Sequence, residues 1–172
     1  AGLERIASFI RTQGAVPGIQ LAHAGRKGSY APPFDRNGML PLRQLTPEQG
    51  AWQVIGASEI PFNDDSAIPA KMTTEDIQTV IQAFVDATIR AKKAGFDWIE
   101  VHAAHGYLPH CFYSPLSNQR SDEYGGNFEN RIRFTREIAQ GIREVWPASR
   151  VLAFRLSYTD WLEGGWTLEE TV

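Results

Sequence analysis

The chain has 172 residues, is 42% hydrophobic and 22% charged, and carries a net charge of −3. That is the composition of an ordinary soluble globular chain, long enough for one domain with a real core. It holds no basic run, which argues against nucleic acid or an anionic membrane as the main partner. The single cysteine, Cys111, excludes an internal disulfide and an all-cysteine metal or iron–sulfur site within this chain. No apolar run is long enough to span a bilayer and no signal peptide is visible, so a cytoplasmic location is expected.

In chain order, Leu3, Ile6, Phe9 and Ile10 share one face of a helix over residues 3–12 that Gly14 ends. Residues 18–22 read as a short buried strand leading into His23-Ala-Gly-Arg-Lys-Gly28. An excursion rich in Pro and Gly follows from 29 to 72, either a binding loop or a variable insertion, with a strand or hairpin arm at 54–61. Thr73-Thr-Glu-Asp76 opens a second helix through Ile77, Val80, Ile81, Phe84, Thr88 and Ala91, closed by Gly95. Residues 96–101 form the next strand, and 108–126 read as a polar, turn-rich loop. Asn127 caps a third helix, with Phe128, Ile132, Thr135, Ile138, Ala139, Ile142 and Val145 on its core face and Pro147 at its end. Residues 150–157 are a third strand, and Thr167-Leu-Glu-Glu170 is a capping box. A start inside a helix without an initiator Met, and an end just after that capping box, predict a fragment of a longer protein.

Strict alternation of strands with amphipathic helices predicts an α/β fold with parallel strands. An open doubly wound sheet and an arc of a (β/α)8 TIM barrel both fit. No Gly-x-Gly-x-x-Gly follows a strand, which disfavours a dinucleotide-binding open sheet. Polar residues recur at strand ends: Gln20 and His23, then His102 and His105, then Arg155. That recurrence favours the barrel, whose strands deliver side chains to one face.

The stretch 98–108, Trp-Ile-Glu-Val-His-Ala-Ala-His-Gly-Tyr-Leu, carries the chemistry. Two imidazoles three residues apart can converge on one electronegative atom, and a phenol two residues on can supply a proton. From spacing alone, His102 and His105 are also compatible with structural roles or with metal ligation, with Glu100 as the close third ligand. Gln20 and Arg155 each need a polar partner, which a cofactor or a protein group would satisfy. His23 and Arg26 read as structural, and Trp52, Trp161 and Trp166 as either pocket lining or packing.

Three motifs taken together carry a resemblance. They are Gly18-Ile-Gln-Leu-Ala-His-Ala-Gly-Arg26, residues 94–107 around His102 and His105, and the run from Ser114 to Arg131. In type, order and span they resemble the old yellow enzyme family of FMN-dependent ene-reductases, and the His-x-x-His pair resembles its xenobiotic-reductase branch. The resemblance implies a (β/α)8 barrel of which residues 1–172 are the central part, about strands three to five with their helices. It implies reduction of activated alkenes (α,β-unsaturated carbonyls or nitro compounds) with NAD(P)H as reductant. By the same resemblance Gln20 meets the flavin pyrimidine edge and Arg155 its N1 and O2 region. His102 and His105 bind the substrate oxygen over the flavin, and Tyr107 delivers the proton.

Pro109 departs from the family pattern and is expected to disturb the Tyr107 loop, because proline fixes φ and lacks an N–H. Cys111 has no expected flavin role. The long 114–131 motif reads as scaffold, with Arg120, Asp122, Glu123 and Arg131 as loop-fixing ion pairs. A metal-dependent barrel hydrolase using His102 and His105, and a non-catalytic half-barrel module that self-associates as a homo-oligomer, stand as alternatives. The chain alone, with two open sheet edges, is expected to be a poorly stable monomer with little activity.

Overall fold

The computed structural model describes residues 2–35, 38–39 and 43–172. Helix α1 (Gly2–Thr12) leads to β1 (Gly18–Leu21) and a 3-10 turn at Gly25–Lys27. Two-residue strands β2 (Phe34–Asp35) and β3 (Gly38–Met39) pair antiparallel, and β4 (Ile55–Gly56) and β5 (Ala70–Lys71) pair parallel. Then come α2 (Thr74–Lys93), β6 (Trp98–Ala103), α3 (Leu108–Tyr113), α4 (Phe128–Val145), β7 (Val151–Leu156) and α5 (Leu168–Thr171). The main sheet is parallel in the order β1-β6-β7, with Gly18 beside Trp98 and Trp98 beside Val151. The chain thus forms an arc of a (β/α)8 barrel.

Three of the helix starts are built by local chemistry. Thr73 accepts the Asp76 N–H while the Asp76 carboxylate accepts the Thr73 N–H, a reciprocal capping box. Asn127 accepts from Asn130 N–H, and Thr167 pairs in the same reciprocal way with Glu170. Each cap satisfies main-chain donors that the first helical turn leaves open.

Alternation along the strands then sorts the sheet into two faces. Ile99 and Val101 are fully buried against α2 and α4, where Ile77, Phe84, Phe134, Ile138 and Ile142 complete the core. Gly141 permits that helix pair to close, since a Cβ there would meet Val85 Cγ2 at 2.9 Å. Trp98, Glu100 and His102 point to the other face, together with Gln20 and Arg155 across the ladders. There Trp98 is 42% and Val151 45% exposed, so among the described residues this lining has no second layer over it.

Three expectations change. The stretch 108–126 is not wholly loop: its first six residues form α3, and all six are buried. Because every position is apolar or buried, no polar stripe betrays the helix in the sequence. Pro109 sits in the first turn of α3, where its missing N–H costs the helix no hydrogen bond. Of the face read on α4, Ile138 and Ile142 are buried, but Phe128 is exposed and Ile132, Thr135, Ala139 and Val145 are half-buried, while Arg131 and Phe134 take the other buried positions. The 54–61 segment does contain a strand, as read: Ile55–Gly56 pairs parallel with residues 70–71 rather than in a hairpin.

The apolar face of α1 exists as read, but Leu3, Ile6 and Phe9 are exposed, and Ala7 alone is buried. Of the excursion read over 29–72, residues 36–37 and 40–42 lie outside the described residues, as does Ala1. No helix among the described residues is long and apolar enough to cross a membrane.

Candidate active site at the end of strand β6

Strand β6 ends at Ala103, and the next four residues turn sharply, with Tyr107 N–H donating to the Ala104 carbonyl at 3.1 Å. His105 sits in this turn at φ +59, uncommon for a residue with a Cβ. Leu108 N–H then donates to the His23 carbonyl at 2.9 Å, docking α3 onto the loop after β1. The sharp turn folds the second imidazole back over the first: His105 Nδ1 lies 3.2 Å from His102 Nε2. The Tyr107 ring lies 4.6 Å from the His102 ring, tilted by 31°. The three residues picked out in the sequence are therefore brought together.

Their protonation follows from the contacts. Ala104 N–H donates to His102 Nδ1 at 3.2 Å, so the neutral ring carries its proton on Nε2 and offers it to His105 Nδ1. Burial, the neighbouring His105 and the Arg155 guanidinium lower the His102 pKa, outweighing its main-chain hydrogen bond and Glu100, which pull upward. Among the described residues the Tyr107 hydroxyl and the Arg155 guanidinium make no hydrogen bond.

Gln20 and Glu100 are ladder partners, and Gln20 Nε2 donates to Glu100 Oε1 at 2.6 Å. Arg155 is the ladder partner of His102 on the same open lining. An amide and an unpaired guanidinium beside two imidazoles form a donor set that complements the alternating N–H and C=O edge of a flavin ring and the charge of its reduced form. The residues present therefore fit FMN. Among the described residues, no three His, Cys, Asp or Glu side chains converge to hold a metal ion.

Other positions resolve simply. His23 Nδ1 accepts the Gly25 N–H, and Arg26 donates to the Ile60 and Pro61 carbonyls, both structural uses. Arg120 and Asp122 form the expected ion pair, while Arg131 pairs with Glu170 of α5 and Glu123 accepts from Arg133 through its carbonyl. Trp166 is buried against Tyr113, whereas Trp52 and Trp161 are exposed.

Two residues near the site were not singled out by the sequence. Lys27 Nζ sits 3.9 Å above the Phe62 ring, and with Tyr30, His105 and Tyr107 these two line a pocket of ≈ 310 Å³. Burial and the Arg26 charge lower the Lys27 pKa, against a smaller opposite pull from Cys111. Tyr113 ties two strand ends together, donating to the Ala103 carbonyl at 2.7 Å and accepting the Ser157 N–H. Its burial pushes the phenol up to about 12, so it stays protonated. The sequence signal for Lys27 was its place two residues past the Gly25 turn; Tyr113 carried none, because its partners are far along the chain.

Comparison with known proteins places the chain in a family. The family model described as the NADH:flavin oxidoreductase / NADH oxidase family matches residues 1–172. An NADPH dehydrogenase of Geobacillus thermodenitrificans is 45% identical over 171 residues, covering 99% of this chain and 44% of that protein. An NADH:flavin oxidoreductase of Gibberella zeae is 42% identical over 182 residues, covering 98% and 43%. The chain thus spans less than half the length of these relatives. Among solved structures, morphinone reductase superposes with a TM-score of 0.76 at 28% identity, covering 98% of this chain and 45% of that one. A 2-naphthoyl-CoA reductase in complex with 2-naphthoyl-CoA superposes with a TM-score of 0.81 at 32% identity, covering 98% and 25%. The chain belongs to the NADH:flavin oxidoreductase / NADH oxidase family, whose cofactor is FMN.

Proposed function

We propose that this chain is the catalytic arc of an NAD(P)H-dependent ene-reductase that reduces activated alkenes, α,β-unsaturated carbonyls or nitro compounds. The observation that carries the reading is the 3.2 Å approach of His102 Nε2 to His105 Nδ1 on the barrel lining, with the Tyr107 ring against His102. When bound, FMN supplies the hydride for the β-carbon of the alkene.

His102 and His105 bind the substrate oxygen. An oxygen about 2.9 Å from each nitrogen completes a triangle on the 3.2 Å base. His102 already has its proton on Nε2; His105 must move its proton to Nδ1 to become the second donor. Two fixed N–H groups then stabilise the negative charge that develops on that oxygen, as in an oxyanion hole. Tyr107, whose hydroxyl has no partner among the described residues, gives its proton to the α-carbon. Arg155, which has no carboxylate partner among the described residues, would supply positive charge to stabilise the anionic reduced flavin. Gln20, its amide steadied by Glu100, would help hold the flavin ring.

Among the described residues the metal-hydrolase alternative finds no third converging ligand. Consumption of NAD(P)H goes with a cytoplasmic site of action. The open lining and free sheet edges leave the isolated chain with little activity of its own; turnover belongs to the complete barrel.

The test is turnover of 2-cyclohexenone by the complete flavin-loaded protein and its His102→Ala and His105→Ala variants. Each variant loses on the order of 10²–10³ in rate, the usual cost of one oxyanion donor, with flavin content kept. Wild-type rates in both variants, or a protein that binds no flavin, overturn the reading.

A further inference from the structure

The turn that carries His105 and Tyr107 is held by side chains that the proposed chemistry does not use. His105 and Gly106 take φ +59 and +73 in succession, so neither joins a helix or a ladder. All four of their main-chain polar groups are bonded to side chains instead. His105 N–H donates to Ser157 Oγ at 3.0 Å, and Lys27 Nζ donates to the His105 carbonyl at 2.8 Å. Gly106 N–H donates to His110 Nδ1 at 2.8 Å, and Cys111 Sγ donates to the Gly106 carbonyl at 3.2 Å. These four side chains come from the loop after β1, the end of β7 and helix α3.

His110 is the best specified of the four. It is buried and stacks on Tyr113 at 4.7 Å and 11°. Its Nε2 lies 2.8 Å from Asp160 Oδ1, and Asp160 Oδ2 accepts from Ser114 Oγ at 2.6 Å and from Trp166 N–H at 2.8 Å. Burial opposes ionisation of Asp160, but the hydrogen bonds from His110, Ser114 and Trp166 outweigh it and bring the carboxyl down to about 2. An ionised Asp160 requires a proton on His110 Nε2, which leaves the Nδ1 lone pair for Gly106. Ser, His and Asp here do not form a nucleophilic relay. Ser114 bonds the carboxylate rather than the imidazole, and the imidazole has no lone pair left to take a proton.

Resting on the ene-reductase reading, we propose that His110, oriented by Asp160, is a positioning residue for the reaction. By accepting the Gly106 N–H it fixes the turn that sets His105 against His102 and Tyr107 beside them. It also ties that turn to the loop after β7. The role belongs to one ring nitrogen, which makes it separable from packing.

The experiment compares His110→Asn, His110→Gln and Asp160→Asn in the complete flavin-loaded protein. Asparagine places an acceptor where Nδ1 stands and gives up Asp160; glutamine reaches Asp160 and gives up Gly106. Asp160→Asn keeps the shape but lets an amide N–H face Nε2, which turns the imidazole to the wrong tautomer. Hydrogen exchange of the Gly106 amide reads the clamp directly, and kcat and KM for 2-cyclohexenone read its consequence. The expected result is wild-type protection and a kcat within about threefold in His110→Asn. His110→Gln and Asp160→Asn lose Gly106 protection and at least about tenfold in kcat, with flavin content unchanged. Equal exchange and turnover in His110→Asn and His110→Gln overturn the proposal. Should His110→Gln fail to fold, Asp160→Asn against wild type decides in the same way. A wild-type protein that reduces no enone overturns the ene-reductase reading alone, since the exchange comparison still judges the clamp.

Discussion

Arg155 stands directly across the β6–β7 ladder from His102, and its charge is one of the reasons that imidazole resists protonation. Burial is the larger reason, and His105 adds to it. A ring whose Nδ1 accepts a main-chain N–H and whose Nε2 donates has one useful state, the neutral one. The oxyanion role asks for that state at neutral pH.

The pH dependence follows. His102 has a lower pKa folded than its ordinary unfolded value of about 6.5. Its contribution to stability is therefore complete above that value and is lost as pH falls through the folded one. An NMR titration of the imidazole carbons is expected to place the His102 midpoint below the ordinary imidazole value. Arg155→Met is expected to raise its pKa only partly, because burial remains. A His102 that titrates above 6.5 contradicts the environment described.

Tyr107→Phe separates proton delivery from binding. Losing a positioned general acid costs about 10²–10⁴ in rate, and the loss is expected in kcat for 2-cyclohexenone, with KM little changed. A quinone substrate takes its protons on oxygen from water, so its reduction is expected to proceed at the wild-type rate. Equal losses on both substrates would place Tyr107 in binding or packing.

Helix α4 yields a stability prediction on neighbouring residues. Phe134 is fully buried against Phe112, their ring centroids 4.3 Å apart. Phe134→Ala is expected to cost about 3–5 kcal/mol, as emptied aromatic sites do. Thr135 is half-buried, with a hydroxyl that has no partner among the described residues, so Thr135→Ala is expected to change stability by less than about 1 kcal/mol. Urea denaturation of the two variants distinguishes the faces.

That pair shows where the sequence was readable. Helix starts at Thr73, Asn127 and Thr167 were legible because each cap bonds a side chain to an amide three residues on. The His102, His105 and Tyr107 cluster was legible for the same reason: its members lie within six residues. Gln20 with Glu100, and His110 with Asp160, are 80 and 50 residues apart, and only the ladder and the packing reveal them. Helix α3 escaped because six buried residues show no amphipathic period. The core face of α4 was legible at Ile138 and Ile142 but not in its first turns, because Arg131 is buried there, donating to the Tyr113 and Gly126 carbonyls as well as pairing with Glu170. A charged residue at that position makes the buried stripe look solvent-facing.

Arg120 shows what the long motif from Ser114 to Arg131 does. Its side chain is buried: Nη1 donates to the Ala57 carbonyl at 3.0 Å and to the Met72 carbonyl at 2.7 Å, and Nε and Nη2 grip Asp122. One guanidinium thus pins both sides of the β4–β5 pair to the loop before α4, which holds the end of the 29–72 excursion. Hydrogen bonds to charged groups contribute about 1.5–3 kcal/mol each, so Arg120→Met is expected to destabilise by about 3 kcal/mol or more. Arg120→Lys recovers only part, because an ammonium cannot span two carbonyls and a carboxylate with a planar fork. Denaturation midpoints measure the loss, and proteolysis within 57–72 is expected to quicken in the same order, Met before Lys before wild type. A full rescue by lysine would mean that charge alone, and not the fork, holds the excursion in place.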